Sequence, residues 1–292
     1  MSEVAERLRD EPGGEQARGR GAPAGLAPPG RVGTVRRVAR VVLPPLAVSA
    51  FTIAAWELAV AVFDVSPLTL AAPSAIAQEL SDSRELLADA SWITTQEIVY
   101  GFALSAVVGA ALAILVGALT AADRALYPLI VAFQNIPKVA LAPIFVLWFG
   151  YGVLPKMLLI AVIAFFPVTV NMRAGMNSVD PNLLQLARSV GASRLQILTR
   201  LQLPSSLPYL FAGLRIAITF SVIGAVVAEF AGASQGLGYL IQFASTQLDT
   251  PLVFAGLVVI SMLGLALFYL VSLLEWLVAR RYPQPQALAT GA

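Results

Sequence analysis

Six long apolar runs constrain this sequence more than any other feature. A hydrocarbon core about 30 Å thick takes roughly 20 helical residues to cross. Because an open strand cannot satisfy its backbone hydrogen bonds in lipid, each run is predicted to be a helix. The fold class is therefore expected to be all-α, a polytopic membrane protein with six transmembrane helices. The predicted spans cover residues 41–63, 93–119, 126–149, 154–172, 209–230 and 252–278.

The composition excludes most catalytic chemistry. Of the 292 residues, 58% are hydrophobic and 12% are charged, which is too apolar for a soluble domain. Histidine and cysteine do not occur in the sequence, which removes thiolate nucleophiles, disulfides and the usual zinc and haem ligands. We therefore predict no catalytic residue, no metal site and no enzymatic activity.

The two ends of the chain differ in composition from the middle. Residues 1–38 are rich in Gly, Pro, Ala, Arg and Glu and nearly lack large apolar side chains, so they bury too little surface to fold. We expect a disordered cytoplasmic tail there, a transmembrane permease domain over residues 39–280 and a cytoplasmic C-terminal tail over residues 281–292. The first tail lacks the apolar core and cleavage site of a secretory signal.

Basic residues predict the orientation in the membrane. Eight arginines lie between Arg7 and Arg40, and others follow the second, fourth and sixth runs. The alternate connections carry only Arg84, among acidic residues, and Lys156. Because short loops rich in Lys and Arg stay cytoplasmic, both termini and the long connection 173–208 are predicted to lie inside.

The connection 173–208 has the pattern of two short helices separated by a glycine. The Asp180-Pro181 pair is typical of a helix start, because the carboxylate accepts from free N–H groups and proline suits the first turn. Gly191 permits a sharp break. Ser193 is the expected cap of a second short helix, which Pro204 is expected to end. Such a unit is a rigid knob suited to docking a partner.

This loop resembles the EAA loop of ABC importer permeases, whose pattern is EAA, three residues, Gly, nine residues, Ile, one residue and Leu-Pro. The spacing fits in full, although Gln, Leu and Leu replace the leading Glu, the first Ala and the Ile. The positions that match are Gln185, Leu186, Ala187, Gly191, Leu201, Leu203 and Pro204. With Arg188, Ser193 and Arg194, these residues are expected to form the ATPase-coupling loop.

Further segments resemble the nitrate, sulfonate and taurine branch of these permeases. They are residues 137–143, 148–150 and 236–240, and the resemblance as a whole covers residues 45–278. It implies an inner membrane permease that pairs with a second copy of itself and with two ATP-binding-cassette ATPase subunits. An extracytoplasmic binding protein would deliver the solute. Lipid surrounds such a protein, and no nucleic acid is implied.

Polar residues within the spans are candidates for the translocation pathway, because ionisable groups in lipid are costly. Lys138 lies about twelve residues into the third span, beside Gln134 and Asn135, and thus near the middle of the membrane if the helix is regular. Two interpretations are open. Lys138 contacts an anionic solute at a proline kink, or it pairs with Glu57 or Glu229 and locks two helices together.

Glu229 is itself a pathway candidate and precedes a glycine-rich stretch. Gly232, Gly236 and Gly238 leave the backbone free to turn; they are expected to form an outer gate or an ordinary interfacial loop. In the second span, a small residue at every fourth position from Gly101 to Gly117 is expected to serve close helix packing.

Two other classes of membrane protein compete with an importer permease. An ion-gradient-driven secondary transporter would show inverted repeats, and a membrane enzyme would show clustered acidic residues with a metal; the sequence shows neither. Because the chain has no Gly-x-x-x-x-Gly-Lys-Ser/Thr phosphate loop, ATP is expected to be used by a partner ATPase, and this chain to bind no cofactor. The resemblance to this branch implies a small polar solute, either anionic or heterocyclic: of nitrate, sulfonate or taurine type, or a thiamine-pyrimidine precursor.

Overall fold

A computed structural model describes residues 31–118 and 120–281, and all regular structure in that part is helical. The helices are α1 (Arg31–Val62), α2 (Pro73–Asp82), α3 (Arg84–Ala118), α4 (Thr120–Gln134), α5 (Ala142–Phe149), α6 (Val153–Met176), α7 (Pro181–Ser189), α8 (Arg194–Ile197), α9 (Leu203–Gly232), α10 (Leu237–Thr246) and α11 (Thr250–Arg281). A 3-10 turn (Lys138–Leu141) precedes α5, and a π-helical turn (Leu198–Gln202) joins α8 to α9. The prediction of an all-α membrane protein is confirmed.

The first helix begins earlier than the composition predicted. It starts at Arg31, so residues 31–38, which we expected in a disordered tail, are helical. Residues 1–30 and 282–292 of the predicted tails lie outside the described residues. The chain divides into two units after Ala54. Of the first unit, the structure describes the part of α1 that ends there, and all contacts below belong to the second unit.

The third predicted span is not one continuous helix. The other five candidate spans are unbroken, but here the helix stops at Gln134 and the chain bends by 87° before it continues over Lys138–Phe149. The single span predicted over residues 126–149 is therefore interrupted, at the proline where the sequence allowed a kink. Pro137 lies at the break, has no N–H to donate and disfavours helical geometry at the preceding residue.

Three helices, α3, α6 and α9, form the core of the second unit. The small-residue stripe of α3 lies against α6, where a Cβ added at Gly109 would come within 2.7 Å of the Phe165 carbonyl oxygen. Ser105 and Ala113 of the same stripe are fully buried. Its predicted role in close helix packing is confirmed.

Contacts along the stripe set the relative direction of two spans. The facing pairs are Gly101 with Ile160, Gly109 with Val168, and Gly117 with Met176. Because the residue numbers rise together, α3 and α6 run parallel. Two parallel spans need an odd number of crossings between them, and the bent α4–α5 pair is the apolar segment that connects them. The pair therefore counts as one crossing, which brings the number of spans to six.

Short helices close the two ends of this core. At one end, which we call the α10 end, α10 packs against α3, α9 and α11, and α2 packs against α3 and α11. The buried cluster there contains Ile76, Leu87, Leu237, Leu240, Ala244, Leu252 and Ala255. At the opposite end, called the loop end, α7 and α8 follow α6. The sequence prediction assigns the loop end to the cytoplasm and the α10 end to the outside.

Candidate functional site

At the loop end, α7 and α8 form a helix, a glycine turn and a second helix. The Asp180 carboxylate caps α7 by accepting a 2.8 Å hydrogen bond from a backbone N–H of the first turn. Gly191 lies in the turn with a φ of +82°, a left-handed conformation that favours glycine. The Ser193 Oγ accepts from the Gln196 N–H at 3.2 Å, and the Gln196 side chain accepts from the Ser193 N–H at 2.7 Å. Both predicted caps are confirmed.

The second helix does not end at Pro204, and that prediction is wrong. The helix continues through the π-helical turn, and Pro204 lies in the first turn of α9. Proline is tolerated in the first turn of a helix, because N–H groups there have no intrahelical acceptor and the lack of one costs little. As a result, one continuous candidate span of 39 residues runs from Arg194 to Gly232, so the knob is joined directly to a core helix.

The knob, α7 and α8, presents apolar side chains to its surroundings. Leu186, Val190 and Leu195 are 60%, 75% and 67% exposed. Of the predicted coupling residues, Gln185, Leu186, Arg188, Gly191, Ser193, Arg194 and Pro204 are exposed, and Ala187, Leu201 and Leu203 are partly buried. Apolar side chains on a polar, arginine-bearing helix pair are typical of a surface that another protein covers.

A cleft of about 690 Å³ lies between the knob and the end of α3. Its lining includes Ala118 of α3, Leu184 and Arg188 of α7, and Leu195 of α8. At the same end, the Arg173 guanidinium of α6 lies 2.6 Å from the Asp123 carboxylate of α4. The loop end therefore combines an open cleft with ion-paired spans.

The predicted pathway residues fall into two separate groups. Gln134, Asn135 and Lys138 lie at the break between α4 and α5, where the Lys138 ammonium donates to the Gln134 carbonyl at 3.2 Å. The prediction that Lys138 pairs with Glu57 or Glu229 is wrong for the described residues, because other groups donate to both carboxylates. Contact of Lys138 with a solute stays a prediction.

Glu229 belongs to a buried network at the α10 end. Its Oε1 accepts a 2.7 Å hydrogen bond from the Thr94 hydroxyl, and its Oε2 accepts from the Gly238 N–H. The Thr94 hydroxyl oxygen in turn accepts from the Leu237 N–H at 2.8 Å. These two side chains satisfy the first two N–H groups of α10, at a helix end that favours negative charge.

The glycine-rich stretch packs around the same carboxylate. A Cβ at Gly236 would overlap the Glu229 carboxylate, and a Cβ at Gly238 would lie 2.8 Å from its Oε2. Gly236 also has a φ of +111°, which disfavours other residues. A Cβ at Gly232 would instead lie 3.2 Å from the Tyr151 ring. Close approach to Glu229 explains two of these glycines, and their role in an outer gate stays a prediction.

An ion pair that the sequence analysis did not select lies beside this network. The Lys156 Nζ of α6 is 2.5 Å from the Glu97 Oε1 of α3, and the two residues are 8% and 1% exposed. Within the described part of the chain, the Glu97 Oε2 has no hydrogen-bond partner. Both carboxyl groups, of Glu97 and Glu229, interact electrostatically with the Lys156 ammonium and with each other. The available signal was one charged residue inside each of two apolar runs.

A cavity of about 290 Å³ lies next to the ion pair. Glu97 and Lys156 form part of its wall, and Tyr151, Ser234 and Gln235 add polar groups. The described residues contain no cluster of side chains that could hold a metal ion. With ammonium and carboxylate groups side by side, the cavity can bind a small polar molecule.

Comparisons with known proteins agree with this architecture. Residues 105–282 match the family model of the binding-protein-dependent transport system inner membrane component. The chain is 41% identical over 221 residues to the formylaminopyrimidine transport permease protein ThiX of Halalkalibacterium halodurans, covering 75% of this chain and 88% of that protein. It is 34% identical over 233 residues to the putative aliphatic sulfonates transport permease protein SsuC of Bacillus subtilis, covering 79% and 84%.

A solved structure has the same fold at low sequence identity. It is a chain of the MetNI methionine ABC transporter in an inward-facing conformation, with a TM-score of 0.59 and 19% identity over 69% of this chain and 98% of that chain. The family match includes α6 to α11 and the whole of the knob. This chain belongs to the family of binding-protein-dependent transport system inner membrane components and is an ABC transporter permease subunit.

Proposed function

We propose that this chain is half of a permease pair that moves a small polar solute into the cytoplasm, and that the knob couples it to ATP hydrolysis. The observation that carries the proposal is the knob itself, which has capped helices, an exposed apolar surface and a continuous helical link to α9. The predicted coupling residues, from Gln185 to Pro204, lie on this unit.

The family assignment defines the setting for the proposal. A permease subunit of an ABC transporter is not itself an enzyme and binds no cofactor, because a partner ATPase handles ATP. A binding-protein-dependent system implies an ATPase and a solute-binding protein as partners, and the chain is a multi-pass inner membrane protein. To this we add a homodimer of permeases, two ATPase subunits and cytoplasmic termini as parts of the proposal.

The continuous helix supports a mechanical role for the knob. At 1.5 Å per residue, the 39 residues from Arg194 to Gly232 are about 58 Å long. A movement that an ATPase imposes on α8 is therefore passed along α9 to Glu229 at the α10 end. In this proposal, closure of the ATPase pair changes the packing around Glu229 and opens the pathway there.

The solute is proposed from the range that the relatives' names cover. Those names include formylaminopyrimidine, aliphatic sulfonates and taurine. We propose that this chain likewise moves a small polar solute, either anionic or heterocyclic.

Substitution of an exposed knob residue tests the coupling proposal. Leu186→Ser is expected to reduce both co-purification with the ATPase and ATP-driven uptake in vesicles by about tenfold, the loss typical of one apolar anchor in an interface. Gly191→Pro is expected to abolish both, because it changes the turn between α7 and α8. Asn182→Ser, on the exposed surface of α7, is the matched control and is expected to leave both unchanged.

Two results would contradict the proposal. The first is normal ATPase association and uptake in Gly191→Pro. The second is uptake that continues without ATP and stops when the ion gradient is collapsed, which would favour a secondary transporter.

A further inference from the structure

The buried charges at the α10 end are short of hydrogen-bond donors. Two carboxyl groups, of Glu97 and Glu229, face one ammonium group, of Lys156, and all three residues are at most 8% exposed. The Lys156 ammonium bonds the Glu97 Oε1, and Thr94 and the start of α10 bond both oxygens of Glu229. The Glu97 Oε2 is left without a donor in the described part of the chain. A buried acceptor without a donor is costly, so a ligand that supplies one is favoured there.

The cavity lies beside the Glu97 carboxyl group. Its wall contains Glu97 and Lys156, and its volume of about 290 Å³ holds a small molecule. Ser234 and Gln235, at the connection between α9 and α10, are exposed and form the accessible side of the cavity. The site therefore combines a buried carboxyl group that has one unpaired oxygen with an adjoining cavity whose wall includes exposed residues.

We propose that this cavity binds solutes through an amino group, which donates to the Glu97 Oε2, and that it disfavours solutes that carry only negative charge. An ammonium group supplies the missing donor and balances the charge of the second carboxylate, whereas a neutral amino-heterocycle N–H supplies the donor alone. A purely anionic solute meets two carboxylates and one ammonium, and that ammonium is already bonded to Glu97.

This inference rests on the proposed function and narrows its solute. Of the proposed range, it keeps amino-heterocycles and amino-sulfonates and excludes nitrate and sulfonates without an amino group. It also moves solute recognition from Lys138, at the α4–α5 break, to the α10 end of α3, α6 and α9.

The charge of the cavity can be measured without knowing the solute. The chain contains no cysteine, so Ser234→Cys introduces a single thiol at the accessible side. The full-length variant is reconstituted in vesicles and treated with two thiosulfonate reagents of similar size, one cationic and one anionic. The ratio of the cationic to the anionic reaction rate is compared with the same ratio for Ser66→Cys, an exposed position in the connection between α1 and α2. We expect this ratio to be about tenfold higher for Ser234→Cys.

Adding Glu97→Gln to Ser234→Cys tests the source of that preference. The added substitution is expected to remove most of the preference for the cationic reagent. A preference for the anionic reagent, or a cationic preference that Glu97→Gln leaves unchanged, would overturn the proposal.

Two matched pairs of probes test the amino group itself. Taurine is compared with ethanesulfonate, and 4-aminopyrimidine with pyrimidine, as protectants of Ser234→Cys against a neutral thiol reagent. The amino member of a pair is expected to slow the reaction of the thiol by at least about threefold. Glu97→Gln is expected to remove this protection. Taurine and 4-aminopyrimidine separate an ammonium from a heterocyclic amino group.

Equal protection by both members of each pair would overturn the proposal, as would the lack of protection by either amino compound. In the latter case, a proton shared between Glu97 and Glu229 satisfies the open oxygen. Failure of the proposed function is recognised separately, because the thiol measurements do not depend on ATP. It would appear as an unsubstituted chain that does not co-purify with an ATPase.

Discussion

At the scale of single residues, the charges at the α10 end are held by partners on other helices. Glu97 on α3 bonds Lys156 on α6, and Glu229 on α9 bonds Thr94 on α3. The residues of the first pair are 59 positions apart in the sequence, and those of the second pair are 135 positions apart. Inspection of the sequence selected Glu229 but not Glu97 or Lys156, since no local pattern indicates which partner a lone charge will meet.

Removal of the buried ammonium is expected to destabilise the protein. Lys156→Met leaves the Glu97 carboxylate buried without its cation, which costs about 3–5 kcal/mol. Adding Glu97→Gln removes the uncompensated charge and is expected to recover most of the lost stability. The free energy of unfolding is measured by titration with sodium dodecyl sulfate in mixed micelles.

The control for this prediction is an ion pair in a more exposed place. Arg215 and Glu275 are 3.4 Å apart with side chains 38% and 25% exposed, and a long basic side chain near the end of a span can reach the membrane surface, so Arg215→Met is expected to cost less than Lys156→Met. If Lys156→Met and the double variant had equal stability, uncompensated charge would not be the cause of the loss.

At the scale of elements, local patterns predicted helices well where local forces decide them. The caps at Asp180 and Ser193 and the turn at Gly191 were predicted correctly, because cap and turn preferences depend on a few neighbouring residues. The continuation of the helix past Pro204 was not predicted, and at Pro137 the sequence allowed a kink but did not predict a bend of 87°. A proline ends a helix in one context and begins one in another, and the packing around it decides which.

The contact between α3 and α6 predicts different tolerances within one stripe. A Cβ at Gly109 would lie 2.7 Å from a backbone oxygen of Phe165, which cannot move without the helix. A Cβ at Gly117 would lie 2.5 Å from the terminal methyl of Met176, which can rotate away. We therefore expect Gly109→Ala to cost about 1–3 kcal/mol and Gly117→Ala less than about 1 kcal/mol.

The measurement is again the free energy of unfolding in mixed micelles. Both substitutions make the same chemical change in the same helix, so intrinsic helix propensity cancels in the comparison. Equal costs, or a larger cost at Gly117, would contradict the packing argument.

At the scale of the whole molecule, the direction of the spans yields a topology that labelling can test. Ser189→Cys on α7 and Ser234→Cys after α9 place single thiols at opposite ends of the core. An impermeant maleimide is expected to label Ser234→Cys in right-side-out vesicles and Ser189→Cys only in inside-out vesicles, because the distribution of basic residues predicts a cytoplasmic loop end.

Ser66→Cys is the control for this labelling, since it precedes α2 at the connection predicted to lie outside. Labelling of Ser189→Cys from the same side as Ser66→Cys, with Ser234→Cys on the opposite side, would show that the bent α4–α5 pair re-enters the membrane without crossing it. The parallel packing of α3 and α6 would then require a different explanation.

The sequence by itself determined the spans, the knob and the family, because apolar length, cap residues and motif spacing are local properties of the chain. Only the tertiary structure decided that the third segment is broken between Gln134 and Lys138, that α8 continues into α9, and that Glu97, Lys156 and Glu229 meet beside a cavity. Those features depend on which helix faces which, and helix partners are selected by packing between residues far apart in sequence.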